Sequence, residues 1–351
     1  MEFYGGIMLP NKTALEIIKK YITKFKKGGD LDNFKEELIK CLLDYNLLVK
    51  TEDGTHTLVS ENKEELMHSK IGSLREGVEK FVMPSDLEKM KNPKILDLCS
   101  GMTYNSIAAL HFNKNCSIDM IECCKEVLFL SMCIDVPYRE HGLIKEKLKN
   151  FFRGNCEGEY KINIYANDAR KVIKKLNNKY NVVFHDAFSP QRDSVLYTLD
   201  FLKKLYEKME DNSILISYSS SIPFRSALVS AGFVISEGES IGRKRGITIG
   251  YKNPSPDRVL KRISLTDERL IALSTVGIPY RDVNLNLTHE EIVKNRYLER
   301  IKMKEKLLKM GKYYPTKKVK LGKIDKKFLD IQDLNLNSSE IILKMRELLE
   351  G

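Results

Sequence analysis

The chain has 351 residues, 42% of them hydrophobic and 30% charged, with a formal net charge of +11. That balance fits a folded chain with a sizeable core and excludes disordered and collagen-like classes. No apolar run approaches the ~20 residues of a membrane-spanning helix, and Met1-Glu-Phe-Tyr-Gly-Gly6 lacks the basic-then-apolar pattern of a secretion signal. No membrane association and a cytoplasmic location are therefore expected.

In chain order, residues 11–27 and 30–46 predict two amphipathic helices, separated by Lys27-Gly-Gly-Asp30. Leu15, Ile18, Ile22 and Phe25 share one face of the first; Leu31, Phe34, Leu38 and Leu42 share one face of the second. Residues 48–59 hold two short alternating runs around Asp53-Gly54, a hairpin pattern. Residues 66–81 predict a helix leading toward the core. From Lys94 onward strand and helix patterns alternate, with strands over 95–98, 117–122, 161–165, 181–186 and 213–218. Residues 233–235 and 246–251 follow with no helical pattern between them, so they predict an antiparallel pair. The fold class is α/β: a doubly wound, mostly parallel seven-stranded sheet ending in an antiparallel hairpin, with helical extensions at both ends. Four segments are expected: 1–47 helical, 48–92 hairpin and helix, 93–252 the cofactor-binding domain, and 253–351 a basic helical region. Within the last, Thr288-His-Glu-Glu291 has the spacing of a capping box.

The first strand of the alternating part ends in Asp97-Leu-Cys-Ser-Gly101, and a helix pattern begins at Thr103. A strand, a tight turn and a helix N-terminus bring backbone N–H groups and a positive dipole to one point. Gly101 is the turn's only glycine, so neither G-x-G-x-x-G nor a Walker loop fits. Four successive strands carry Asp97, Glu122, Asp168 and Asp186 at or just past their C-terminal ends, the edge where open α/β sheets bind ligands. This set suits S-adenosylmethionine. Glu122 can accept from both ribose hydroxyls, and Asp168 beside Asn167 from the adenine amino group. Asp97 and the Gly101 turn can hold the methionine portion, with Cys99, Thr103 and Asn105 of the same stretch in the contacting set. No phosphate needs cradling, which makes a dinucleotide a poorer match.

Asp186-Ala-Phe-Ser-Pro190 reads as the catalytic strip. Methyl transfer from a sulfonium needs a neutral nucleophile held in line, and a carboxylate beside an amine can orient the free base and take its proton. Phe188 could stack on a base. His68 is a further candidate for cofactor contact. His185 precedes Asp186 in its strand and should point to the other face; His56, His111, His141 and His289 have no metal-ligand spacing, and no metal is expected. Arg225 and the turn Gly242-Arg243-Lys244-Arg245 are candidates for substrate or nucleic-acid contact. Seven cysteines, odd in number and without a C-x-x-C pair, predict reduced thiols. Residues 294–327 carry fourteen Lys/Arg against three acidic residues, so the rest of the chain sums to zero. Such concentration predicts a polyanion-binding element.

Three blocks, Asp186-Ala-Phe-Ser-Pro190, Ala231-Gly-Phe233 and Gly242-Arg-Lys-Arg245, resemble the methyltransferase domain of the MnmC type. So do Thr51-Glu-Asp-Gly-Thr-His-Thr-Leu58, Met67-His-Ser69, Gly72 and Glu76, and the resemblance covers about residues 50–251. It implies a class I Rossmann-like fold and S-adenosylmethionine-dependent N-methylation of an aminomethyl group on the wobble uridine of tRNA. It implies Asp186 beside the amine and Asp97, Gly101, Glu122, Asp168 and His68 near the cofactor. The chain departs from the pattern at Cys99 and Thr103, where methyltransferases often place glycine, and it carries no second dinucleotide fingerprint for a flavin oxidase domain. tRNA is the expected partner and a monomer the expected state. The alternative is an aminopropyltransferase of the spermidine synthase type, for which a basic C-terminal region has no use.

Overall fold

The computed structural model describes residues 9–61, 66–68, 70–155, 161–240 and 246–351. They form two compact units, Met8–Val172 with Val182–Phe188, and Ile173–Asn181 with Ser189–Gly351.

In the first unit, helix α1 (Lys12–Lys26) is opened by Asn11, whose side chain accepts from the Thr13 N–H at 3.0 Å. Its buried face is Ala14, Leu15, Ile18, Tyr21 and Phe25, with Ile22 half-buried. A short 3-10 turn, Leu31–Asn33, splits the second expected helix and leaves α2 at Lys35–Asp44. The hairpin follows as β1 (Leu48–Lys50) and β2 (His56–Leu58), antiparallel with Leu48 opposite Leu58. Asp53 at its tip ties it to helix α3 (Ser73–Glu76): Oδ1 accepts from the Thr55 N–H at 3.0 Å and Oδ2 from the Arg75 N–H at 3.0 Å. Gly72 makes that approach possible. Its φ is +149°, and a Cβ there would stand 2.3 Å from Asp53 Oδ2, a clash no rotamer relieves.

The helix expected over 66–81 is therefore corrected to 73–82, four α residues continued by a wide π turn, Gly77–Val82. Upstream, the backbone is claimed by β2 instead: the Met67 N–H donates to Leu58 O and the His68 N–H to Thr57 Oγ1 at 2.9 Å. The alternating part then runs β3 (Lys94–Leu98), α4 (Tyr104–Phe112), β4 (Ser117–Ile121), α5 (Lys125–Cys133), α6 (His141–Arg153), β5 (Ile162–Tyr165), α7 (Ala169–Ile173) and β6 (Tyr180–His185). β3 is parallel to both β4 and β6, and β4 to β5. Ile95, Leu96, Val182, Val183 and Phe184 are fully buried, the two-sided burial of a parallel sheet covered by helices. Phe129 of α5 meets Phe25 at 5.8 Å and Phe34 at 6.4 Å between ring centroids, so the N-terminal helices are part of this core. Truncating such a buried ring costs about 3–5 kcal/mol.

The second unit holds α8 (Leu199–Glu207), β7 (Met209–Ser217), α9 (Ile222–Ala231), β8 (Val234–Glu237) and β9 (Thr248–Lys252). β9 is antiparallel to β8, as the sequence predicts, and also to β7. The full sheet order is β5-β4-β3-β6-β7-β9-β8. The C-terminal segment adds α10 (Leu265–Leu273), α11 (His289–Lys309), α12 (Thr316–Lys320), α13 (Lys326–Gln332) and α14 (Ser338–Glu350). It is built into this unit. Ser339 Oγ of α14 accepts from the Ile235 N–H at 2.9 Å and donates to Phe233 O at 3.2 Å, which covers the exposed edge of β8. The Thr288/Glu291 capping box opens α11, whose 21 residues bury only Ile292 and Leu307.

Candidate active site

The four strand-end acids all lie in the first unit, at the C-terminal edge of the parallel strands. Asp97, the penultimate residue of β3, is fully buried. Its Oδ2 accepts from Ser106 Oγ in the first turn of α4 at 2.5 Å, while its Oδ1 has no hydrogen-bond partner. A buried acceptor left in this way calls for a donor from outside the chain. Burial pushes the Asp97 carboxyl up to about 7, aided by the like charges of Asp186 and Glu122 and opposed by the hydroxyls of Ser106 and Ser100.

The turn between β3 and α4 is wound tightly. Thr103 N–H donates to Ser100 O at 2.7 Å, and Cys99, Gly101 and Thr103 have φ of 60°, 52° and 65°. This accounts for the two departures from the family pattern: Cys99 and Thr103 hold the left-handed backbone that glycine adopts without cost. For a β-branched residue this is strain, and the structure compensates it with a 2.7 Å hydrogen bond between Thr103 Oγ1 and Ser131 Oγ.

Glu122, just past β4, is spent partly on this turn. Its Oε2 accepts from the Gly101 N–H at 3.0 Å and its Oε1 from the Cys124 N–H at 2.8 Å. Burial raises its pKa, and these two backbone donors oppose the rise. Oε1 also takes the Cys123 thiol at 3.5 Å, and Oε2 keeps a lone pair for a further donor. Asp168, beyond β5, is gripped by Arg170: Nη2 lies 2.8 Å from Oδ2, and the Arg170 backbone N–H 2.8 Å from Oδ1. The expected adenine acceptor is thus also a partner in a local ion pair, which the residue spacing did not reveal.

Asp186 follows β6, with its N–H donating to Leu98 O. Its Oδ2 accepts from Asn105 Nδ2 at 2.8 Å, which brings the first turn of α4 and the end of β6 together. Burial raises its carboxyl pKa; His68, Asn105 and Lys80 pull it down and Glu76 pushes it up. His68 stands edge-on to the Tyr104 ring with 5.5 Å between centroids, and its Nδ1 is 3.8 Å from Glu76 Oε2. Glu76 in turn holds the nearly buried Lys80 at 2.5 Å. Ser106, Glu76 and Lys80 had no assigned role in the sequence reading. The i,i+4 spacing of Glu76 and Lys80 was the available signal for the pair.

The nucleic-acid candidates divide. Phe188 is half-exposed after β6. Arg225 is corrected: it is fully buried in the second unit, where Nη1 meets Asp267 at 2.9 Å, Nη2 meets Glu237 at 3.2 Å and Nε donates to Thr248 Oγ1 at 2.9 Å. It ties α9 to β9 and α10 and does not reach a ligand. Arg243, Lys244 and Arg245, like Ser69, lie outside the described residues. His185 is fully buried, and among the described residues no three His, Cys, Asp or Glu side chains converge as a metal site. Among them, too, no helix is long and apolar enough to cross a membrane.

Comparison with known proteins gives this edge a chemistry. A family model described as an S-adenosyl-L-methionine-dependent methyltransferase matches residues 140–253. An uncharacterized protein of Methanocaldococcus jannaschii is 57% identical over 347 residues, covering 97% of this chain and 96% of its own. The crystal structure of MnmC2 from Aquifex aeolicus superposes with a TM-score of 0.60 at 28% identity, over 82% of this chain and 99% of that one. The tRNA 5-methylaminomethyl-2-thiouridine biosynthesis bifunctional protein MnmC of Burkholderia thailandensis is 23% identical over 233 residues, 59% of this chain. The match spans 35% of that longer protein. The chain belongs to one family with the Methanocaldococcus protein, and it is an S-adenosyl-L-methionine-dependent methyltransferase of the MnmC type.

Proposed function

We propose that the enzyme methylates an amine on tRNA, converting 5-aminomethyl-(2-thio)uridine at the wobble position to its 5-methylaminomethyl form. The observation that carries this reading is Asp186, a carboxylate oriented by Asn105 at the cofactor edge with His68 and Glu76 in its electrostatic surroundings. The named role of the Burkholderia relative in 5-methylaminomethyl-2-thiouridine biosynthesis supports the same substrate class. The basic stretch 294–327, carried largely on the exposed faces of α11 and the short helices after it, supports a polyanionic partner.

Asp97 Oδ1, the buried acceptor without a partner, would hold the ammonium of S-adenosylmethionine. Glu122 would take a ribose hydroxyl with the Oε2 lone pair that Gly101 leaves over, and Asp168 the adenine amino group. When bound, the cofactor supplies an electrophilic methyl group on a cationic sulfur. Asp186 accepts an N–H of the substrate amine, which turns the nitrogen lone pair toward the methyl group. It then takes the proton that the nitrogen sheds. A carboxylate raised above its ordinary pKa is a better base for that transfer than an exposed one. Phe188 offers a ring for the target base to stack on.

The test is methyl transfer from labelled S-adenosylmethionine to tRNA arrested at the aminomethyl stage, followed by nucleoside analysis. Label in methylaminomethyl uridine is the expected result. Label in another nucleoside would keep the enzyme class and move the substrate. Turnover of decarboxylated cofactor with putrescine, and none with RNA, would overturn the reading.

A further inference from the structure

The second unit contains a cavity of about 240 Å³, some eight times the roughly 30 Å³ share of a water molecule in the liquid. One wall is the inner side of α11, with Met303 and Leu307, and Met310 just past its end; Ile271, Ile278 and Leu349 complete the apolar lining. Two thioethers in one wall make it adaptable in shape. The polar part consists of Arg346, Lys306 and Glu350 with a few hydroxyls. Arg346 is held by neutral acceptors: Nη1 donates to Ser230 Oγ at 2.9 Å and Nη2 to Ser226 Oγ at 2.6 Å. Arg225 in the same unit has two carboxylates and Arg262 has one, whereas Arg346 makes no ion pair among the described residues. Burial lowers the Arg346 pKa to about 10, against the pull of Glu350. A guanidinium fixed by serines, with Glu350 nearby but in no direct ion pair with it, suits a ligand that brings an anion. Lys306, exposed at the mouth, belongs to the basic run of α11.

We infer that this cavity receives one unstacked nucleotide of the RNA, its base against the methionine wall and its phosphate on Arg346 and Lys306. The inference rests on the tRNA reading above and deepens it. Three features favour a nucleotide over a free organic acid. The cavity opens on the most cationic segment of the chain, so a polyanion is delivered to its mouth. Its walls are apolar enough to take a base face. Glu350 supplies an acceptor for a base amino or imino group, which a simple carboxylic acid could not use. Single-stranded RNA offers splayed bases of this kind and a duplex does not.

The experiment uses the full chain and fluorescence anisotropy with a short oligoribonucleotide, either single-stranded or annealed to its complement. Met303→Trp fills the cavity from a half-buried position without removing a charge, and Arg346→Gln removes the cation. Met303→Trp should weaken single-strand binding at least fivefold, the loss of about one base contact, while leaving duplex binding and both salt slopes unchanged. Arg346→Gln should lower the single-strand salt slope by about 0.7, one phosphate contact. Equal losses on both RNAs, or none from Met303→Trp while wild-type RNA binding is intact, would overturn the cavity and leave the tRNA reading standing. A wild type that binds neither RNA would remove both. A rise in Tm with benzoate that Arg346→Gln abolishes, with RNA binding unaffected by either variant, would assign the cavity to a small acid instead.

Discussion

Asp97→Asn separates the stability of this enzyme from its function. In the fold the Asp97 carboxyl is fully buried, and it titrates at about 7 instead of the ordinary 3.8. Between those values the folded chain holds a proton that the unfolded chain has released. The contribution of Asp97 to stability therefore falls as pH rises from about 4 to about 7 and is level outside that window. At 1.36 kcal/mol per pH unit the penalty is roughly 2 kcal/mol at pH 5 and roughly 4 kcal/mol at pH 8. Asparagine does not titrate, so whatever fixed cost its amide carries beside Ser106 cancels when two pH values are compared. Denaturant unfolding of cofactor-free wild type and Asp97→Asn at pH 5 and pH 8 should show the variant gaining about 3 kcal/mol on the wild type between them. The same proton must leave when a cationic ammonium binds, so wild-type affinity for S-adenosylmethionine should weaken toward tenfold per pH unit below about 7. Binding by the variant should be poor at every pH. Parallel stability profiles for the two proteins would refute the reasoning, because Asp97 would then titrate as an ordinary carboxylate.

Asp186→Asn is expected to retain the cofactor, measured by calorimetry, and to lose at least ~100-fold in single-turnover methyl transfer; near-wild-type turnover would remove Asp186 from the mechanism. Gly72→Ala forces a Cβ into Asp53 and should cost more than about 2 kcal/mol of stability, with a fall in activity as the segment carrying His68 loosens; a variant with unchanged Tm would contradict that contact. At Cys99, where φ is 60°, glycine should be tolerated while valine costs about 1–2 kcal/mol; equal stability of the two variants would argue against left-handed backbone in that turn. Replacing the exposed Lys294, Lys302, Lys304 and Lys309 of α11 with glutamine should flatten the salt dependence of tRNA binding by about 0.7–0.9 per contact removed. Substitution is the right perturbation there, since deletion would strip α14 from β8 and α10. An unchanged slope would mean that these lysines only solvate the helix.

The α/β order, the antiparallel close of the sheet and the acids at the C-terminal ends of its parallel strands were all legible in the chain. Each of these follows from local pattern: two-sided apolar runs make parallel strands, and an acid at a strand's end lies at the ligand edge whatever surrounds it. The hairpin tip at Asp53-Gly54 and the cap at Thr288 were legible for the same reason, since both depend on residues a few positions apart. That residues 66–68 run beside β2 was not legible in local pattern, because it depends on a hydrogen bond to Thr57 and on the docking of Asp53 against Gly72. Nor did it show that Arg225 would be buried, since its partners Glu237, Thr248 and Asp267 lie 12 to 42 residues away along the chain. Which carboxylates still have capacity for a ligand depends on the assembled fold. Asp97 keeps an oxygen without a partner, Glu122 gives one oxygen to the Gly101 turn and the other to the Cys124 N–H, and Asp168 is held by Arg170. Residue type states what a side chain can bond, but burial and the bonds already made decide what remains for chemistry.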